Sequence, residues 1–134
     1  MNTREEILYE VEKIAQVPIV AKILALVCAT TGMRFAAVAR VTPEKWVALA
    51  VMDQLGFGLK PGDEVEINKT LCSEVRMFEK PIIINDAATD EVYRDNPIPA
   101  EFGFKSHISV PIFIENGFYG TLCSIDTEPN QLDN

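Results

Sequence analysis

Apolar positions change period several times along the chain, and each change marks an element. Ile7, Leu8, Val11, Ile14 and Ala15 recur at helical spacing, and Ile19, Ile23, Leu24 and Val27 carry the stripe on to a C-cap at Gly32. Thr3-Arg4-Glu5-Glu6 has the form of a capping box, so a leading helix is predicted over 3–31. Pro18 falls inside it and either kinks it or starts a second helix. Residues 35–41 and 46–52 then read as a hairpin about the turn Thr42-Pro43-Glu44-Lys45. Gly56, Gly58, Pro61 and Gly62 mark a loop, and 64–67 a short strand. A helix over 71–78, capped by Asn68 or Thr70 and stopped by Pro81, leads to a buried strand at Ile82-Ile83-Ile84. Residues 86–104 read as a long loop with at most one helical turn, a length that usually carries function or motion. Strands over 105–114 and 118–126 join at Asn116-Gly117, suited to the two φ > 0 positions of a type I′ turn. Strands outnumber helices and pair locally, which predicts one α+β domain over 1–134 with an antiparallel sheet.

Alternation lets the two faces of the last hairpin be read apart. Ile108, Val110, Ile112 and Ile114 share one face and are expected to pack against helices. Lys105, His107, Ser109 and Pro111 share the other, with Tyr119, Thr121, Cys123 and Ile125 on one side of the partner strand. Two readings of the polar face stand. It points at water, or the 86–104 loop with Tyr93, Phe102 and Phe104 roofs it and makes a ligand cavity.

Charge narrows the partners. The 134 residues carry a net charge of −8, so a phosphate backbone or an anionic lipid surface would be repelled. No apolar run is long enough to span a bilayer and the N-terminus is charged, so a cytoplasmic location is expected. Cys28, Cys72 and Cys123 are far apart and show no metal-ligand spacing, so no zinc site is expected. The carboxylates of Asp90, Glu91 and Asp95 also lack regular ligand spacing, and no metal is expected there.

Several segments together carry a family resemblance. TLCSEV at 70–75, KPIIINDAATDE at 80–91, Asp95-Asn96-Pro97, FGFKSHISVPI at 102–112 and YGTLCSID at 119–126 resemble the GAF domain family, small-molecule-sensing modules of bacterial signalling proteins such as sensor histidine kinases. With the leading helix and first hairpin, the resemblance covers nearly the whole chain. It implies a central antiparallel sheet of five or six strands, helices packed on one face and a loop-covered pocket on the other. It also implies a C-terminal helix that these residues lack, and a role in passing ligand occupancy to an output module. Light-sensing relatives hold a bilin through a Cys-His pair. Arg94-Asp95 stand where that pair would fall, so no covalent cofactor is expected. Relatives that reduce free methionine sulfoxide need cysteines in the loop before the second-last strand, and that loop has none.

Catalysis would need His107 and Cys123 in hydrogen-bond reach, a group to orient the imidazole, and an oxyanion hole that no motif supplies. The expectation is a non-enzymatic sensory domain. Its pocket would be lined by His107, Ser109, Thr121 and Cys123 and lidded by Tyr93 and Phe102. Its partners would be an unidentified small molecule and a second copy paired through the leading helix. An empty fold used only for dimerisation, and a thiol redox sensor using Cys72 or Cys123, are the alternatives.

Overall fold

In the computed structural model, which describes residues 4–115 and 117–132, the leading stretch is two helices, α1 (Arg4–Ala15) and α2 (Pro18–Thr31), turned 82° from each other. The single helix over 3–31 is corrected to this pair. Of the two outcomes Pro18 allows, a fresh start is the one found, because its missing N–H has no acceptor to forgo in a first turn. Gly32 ends α2 at φ 78, its N–H bonded to the Cys28 carbonyl. The expected capping box rests on Thr3, outside the described residues.

The strands are β1 (Phe35–Val41), β2 (Lys45–Asp53), β3 (Glu64–Glu66), β4 (Ile82–Ile84), β5 (Ser106–Ile114) and β6 (Gly117–Asp126), with α3 (Cys72–Phe78) and α4 (Pro97–Phe102) between them. They form one antiparallel sheet of six strands in the order β3-β2-β1-β6-β5-β4. α4 is the helical turn expected in the long loop. α3 begins after Leu71 without a side-chain cap; the Thr70 hydroxyl instead donates to the Ile67 carbonyl. In the last hairpin Ile114 pairs with Gly117 and Glu115 has φ 51; the expected Asn116-Gly117 turn rests on Asn116, which is outside the described residues.

α1 and α2 cover one face of the sheet. Ile7 packs on Val47 and Leu49, and Leu24 and Cys28 pack on Ala36. Both helices sit over β1 and β2. The aliphatic face of β5, two strands away, therefore lacks the helix cover expected of it, and Val110 and Ile114 remain 39% and 51% exposed.

A β-bulge corrects the reading of β6. The register shifts between Ile112 and Phe113, leaving Tyr119 as the extra residue. Tyr119 leaves the Thr121 side, packs with Ile7 and Val47 among the helices, and donates its hydroxyl to Glu10. Gly120 follows where β1 crosses closely: a Cβ there would collide with the Ala39 carbonyl, so only glycine fits.

Candidate functional site

The face opposite α1 and α2 holds the main core. Phe35, Ala37, Ala39 and Val41 of β1 point there, with Trp46 and Ala48 of β2, Cys123 and Ile125 of β6, and Val75 of α3. Three segments roof it: the loop between β2 and β3, the start of α3, and α4 with the residues after it.

Asp53 shapes the first roof segment. Its carboxylate accepts from the backbone N–H groups of Leu55, Phe57 and Gly58 at 3.0, 3.1 and 2.8 Å. Burial alone would raise its pKa, but these bonds outweigh that and hold it below the usual carboxylate range. The turn so fixed drops Phe57 between Phe35 and Phe102, at ring distances of 5.5 and 6.3 Å. Asn96 caps α4 by accepting from the Ile98 N–H, which sets the approach of Ile98 and Phe102.

Beneath this roof is a cavity of about 70 Å³. Its wall is mostly aromatic and aliphatic, with Phe35, Trp46, Phe57, Leu59, Val65, Ile98 and Phe102 prominent, and its polar members include His107, Cys72 and Cys123. Lys69 also lines it and its side chain is 59% exposed, so the wall reaches the surface there. By the space a water needs, this volume takes roughly half a dozen non-hydrogen atoms.

His107 is 5% exposed and stacks 5.2 Å from the Phe104 ring. Its Nε2 lies 2.6 Å from Ser109 Oγ, while its buried Nδ1 has no hydrogen-bond partner. Burial pushes its pKa down to about 4, so the ring is neutral at ordinary pH. Next to it, Cys72 Sγ lies 3.3 Å from Thr121 Oγ1 and 3.8 Å from Ser109 Oγ. The Cys123 thiol is its neighbour in the cavity wall. Chiefly through the Cys123 thiol, with the hydroxyls of Thr121 and Ser109 and the Trp46 indole adding to it, Cys72 falls to about 7 against the opposing effect of burial. Cys123 is raised in turn.

The inward parity expected of His107, Ser109, Thr121 and Cys123 is therefore found, and all four are buried. Only His107 and Cys123 reach the cavity wall. Ser109 stands behind as the partner of His107 and Thr121 as the partner of Cys72. Phe102 is in the roof as expected. Tyr93 is not: its hydroxyl donates to Glu74 of α3 at 3.0 Å and it borders a separate groove with Arg94 and Asn96. Burial, and then the Glu74 carboxylate, push its pKa to about 12. Arg94 and Asp95 are exposed and lie outside the cavity wall. Sequence reasoning named Cys72 only as a candidate redox thiol and overlooked Trp46 and Phe57 as wall residues. A lone aromatic four residues after an Asp that ties down a loop is the signal that could have pointed to Phe57. Among the described residues no group of three His, Cys, Asp or Glu side chains is placed to hold a metal ion, and no single helix is long and apolar enough to cross a membrane.

A six-stranded antiparallel sheet with α1 and α2 on one face and a roofed cavity on the other is an α+β architecture. The sequence profile of the GAF domain matches residues 17–134, and the chain belongs to that family. GAF domains serve as sensory modules in signalling proteins. Among solved structures, the free methionine-R-sulfoxide reductase of Neisseria meningitidis is similar over 97% of this chain and 77% of its own, at 17% identity and a TM-score of 0.63. The GAF domain of a two-component sensor histidine kinase from Bacillus halodurans is similar over 89% and 80%, at 15% identity and TM-score 0.61. The NreA protein of Staphylococcus aureus, solved as a mutant in its nitrate-binding site, is similar over 90% and 95%, at 20% identity and TM-score 0.59. At these identities the likeness is one of fold. Comparison with curated proteins gives no significant match.

Proposed function

We propose that this chain is the non-enzymatic small-molecule receptor of a signalling protein, and that its ligand occupies the cavity above His107. One observation carries the reading: a neutral, buried imidazole lines an otherwise largely apolar cavity with one nitrogen unpartnered. Leaving a buried polar atom unpaired costs about 1–3 kcal/mol, which a complementary ligand atom would recover. The lining favours a compact, uncharged, mainly apolar molecule with one hydrogen-bonding group. Two fold relatives point the same way: a reductase solved with its substrate and a protein with a nitrate-binding site both take small molecules.

Transmission follows from the sheet. Phe35 and Trp46 line the cavity, while their strand neighbours Ala36 and Val47 touch the helices on the far face. A ligand that favours one packing of Phe57 and Phe102 thus biases β1 and β2, and through them α1 and α2. The bias cannot exceed its differential affinity for the two packings. A second copy of the chain, paired through the exposed Ile19, Ile23 and Leu26 of α2, would receive that bias in a cytoplasmic signalling protein.

A thermal-shift screen tests the reading with short aliphatic alcohols, short amides and phenol against the reduced protein. At least one is expected to raise Tm in a saturable way, with the shift lost in His107→Phe, which keeps the ring packing and removes both nitrogens. If no compound shifts Tm and the variant behaves as the parent, the domain is a dimerisation spacer instead.

A further inference from the structure

The same cavity wall contains two thiols that ligand recognition does not need. Cys72 opens α3, and Cys123 lies on β6 directly opposite Ser109 in register. The Cys72 sulfur stands 3.8 Å from Ser109 Oγ and 3.3 Å from Thr121 Oγ1, the residue two before Cys123 on the same face. It therefore sits over the patch of β6 from which the Cys123 side chain rises. Both are free and both border the cavity. Cys28 is remote from them, packed on Leu24 and Ala36 on the other face of the sheet.

We propose that Cys72 and Cys123 form a redox-active dithiol, which a small hydroperoxide entering the cavity converts to an intramolecular disulfide. The roles divide by environment. The hydroxyls of Thr121 and Ser109, at 3.3 and 3.8 Å, favour the thiolate of Cys72, whereas burial keeps the proton on Cys123. The Cys72 thiolate attacks one peroxide oxygen, the O–O bond breaks, and the departing alkoxide takes up the proton that Cys72 had released, leaving a sulfenic acid and an alcohol. The Cys123 sulfur then attacks the Cys72 sulfur. The S–O bond breaks, and the hydroxide leaves as water with the Cys123 proton. Two electrons pass from the dithiol to the hydroperoxide, which ends as alcohol and water. Bond formation draws the sulfurs to about 2 Å and pulls the start of α3 onto β6, so oxidation reshapes the cavity that the ligand would enter. This redox input is separate from ligand binding, which the reduced protein tests alone.

The test treats the folded full chain with hydrogen peroxide, denatures it in the presence of an alkylating agent, and maps the peptides by mass spectrometry. The expected product has lost two hydrogens, retains one alkylated cysteine at Cys28, and yields a single cross-linked peptide pair containing Cys72 and Cys123. Dithiothreitol restores the parent mass. Cys28→Ser leaves the cross-link intact, and Cys123→Ser halts at a sulfenic acid on Cys72 that dimedone traps. Three alkylated cysteines after treatment, oxidation confined to Cys28, or a disulfide between chains would each overturn the proposal. The peptide map of the unsubstituted chain decides the matter even if Cys123→Ser fails to fold.

Discussion

An imidazole held neutral by burial ties the stability of the fold to pH. His107 has its pKa lowered from 6.5 to about 4 by loss of solvent. Between those values the unfolded chain binds a proton that the folded chain does not, so stability rises with pH through this window and falls on acidification. The loss by about pH 4.5 amounts to roughly 2–3 kcal/mol. Urea unfolding from about pH 7 down to 4.5 should show it, and His107→Gln, which cannot titrate, should flatten the profile. A profile as steep in the variant would assign the acid sensitivity to other groups. The carboxyls of Asp53 and Asp126, both held low, contribute below this window. Parity made His107 legible in the sequence, because a run of alternating isoleucines leaves little doubt which neighbours face the other way. Its unpartnered nitrogen was not legible, since that depends on Phe104 and on a roof drawn from elsewhere.

Among the elements, the roof is where sequence and structure part most. The cavity wall is gathered from β1, β2, the loop after β2, the start of α3, α4 and the last hairpin. No local pattern announces such a convergence, and so Phe57 was hidden while the hairpin floor was visible. The bulge at Tyr119 was hidden for a similar reason: strict alternation assumes an unbroken ladder, and the register shift depends on how the hairpin closes. Tyr93 was misplaced because an aromatic residue in a long loop can find a partner other than the ligand, here Glu74. The strands of the two hairpins had no such problem, since they follow from hydrophobic period and from local turns, and Pro18 marked the break between α1 and α2. The roof also makes a prediction. Asp53→Ala removes the acceptor that three backbone N–H groups share, and should cost on the order of 1–3 kcal/mol. Hydrogen exchange should quicken at Leu55, Phe57 and Gly58 while β1 and β6 stay protected. Unchanged exchange at those amides would mean that the aromatic stack alone holds the loop.

At the scale of the whole molecule, the two faces of the sheet divide the labour. One face holds the cavity; the other presents helices whose outer surface carries Ile19, Ile23 and Leu26 in solvent. Apolar residues at such spacing on one helix favour burial against a second copy. Ile23→Glu together with Leu26→Glu should therefore convert a dimer to a monomer by light scattering without lowering the monomer's Tm. A parent chain that is monomeric at high concentration would remove the helix relay. The sequence contains a single histidine, so the imidazole nitrogens of a uniformly labelled sample give one ring system to follow. Its long-range ¹⁵N–¹H NMR spectrum is the most direct measurement. The ring should stay neutral as pH falls toward about 4, and at least one small amphiphile should displace the Nδ1 resonance to saturation. A ring that protonates as freely as in an unfolded peptide, with an Nδ1 signal unmoved by every compound, would contradict a receptor built over His107.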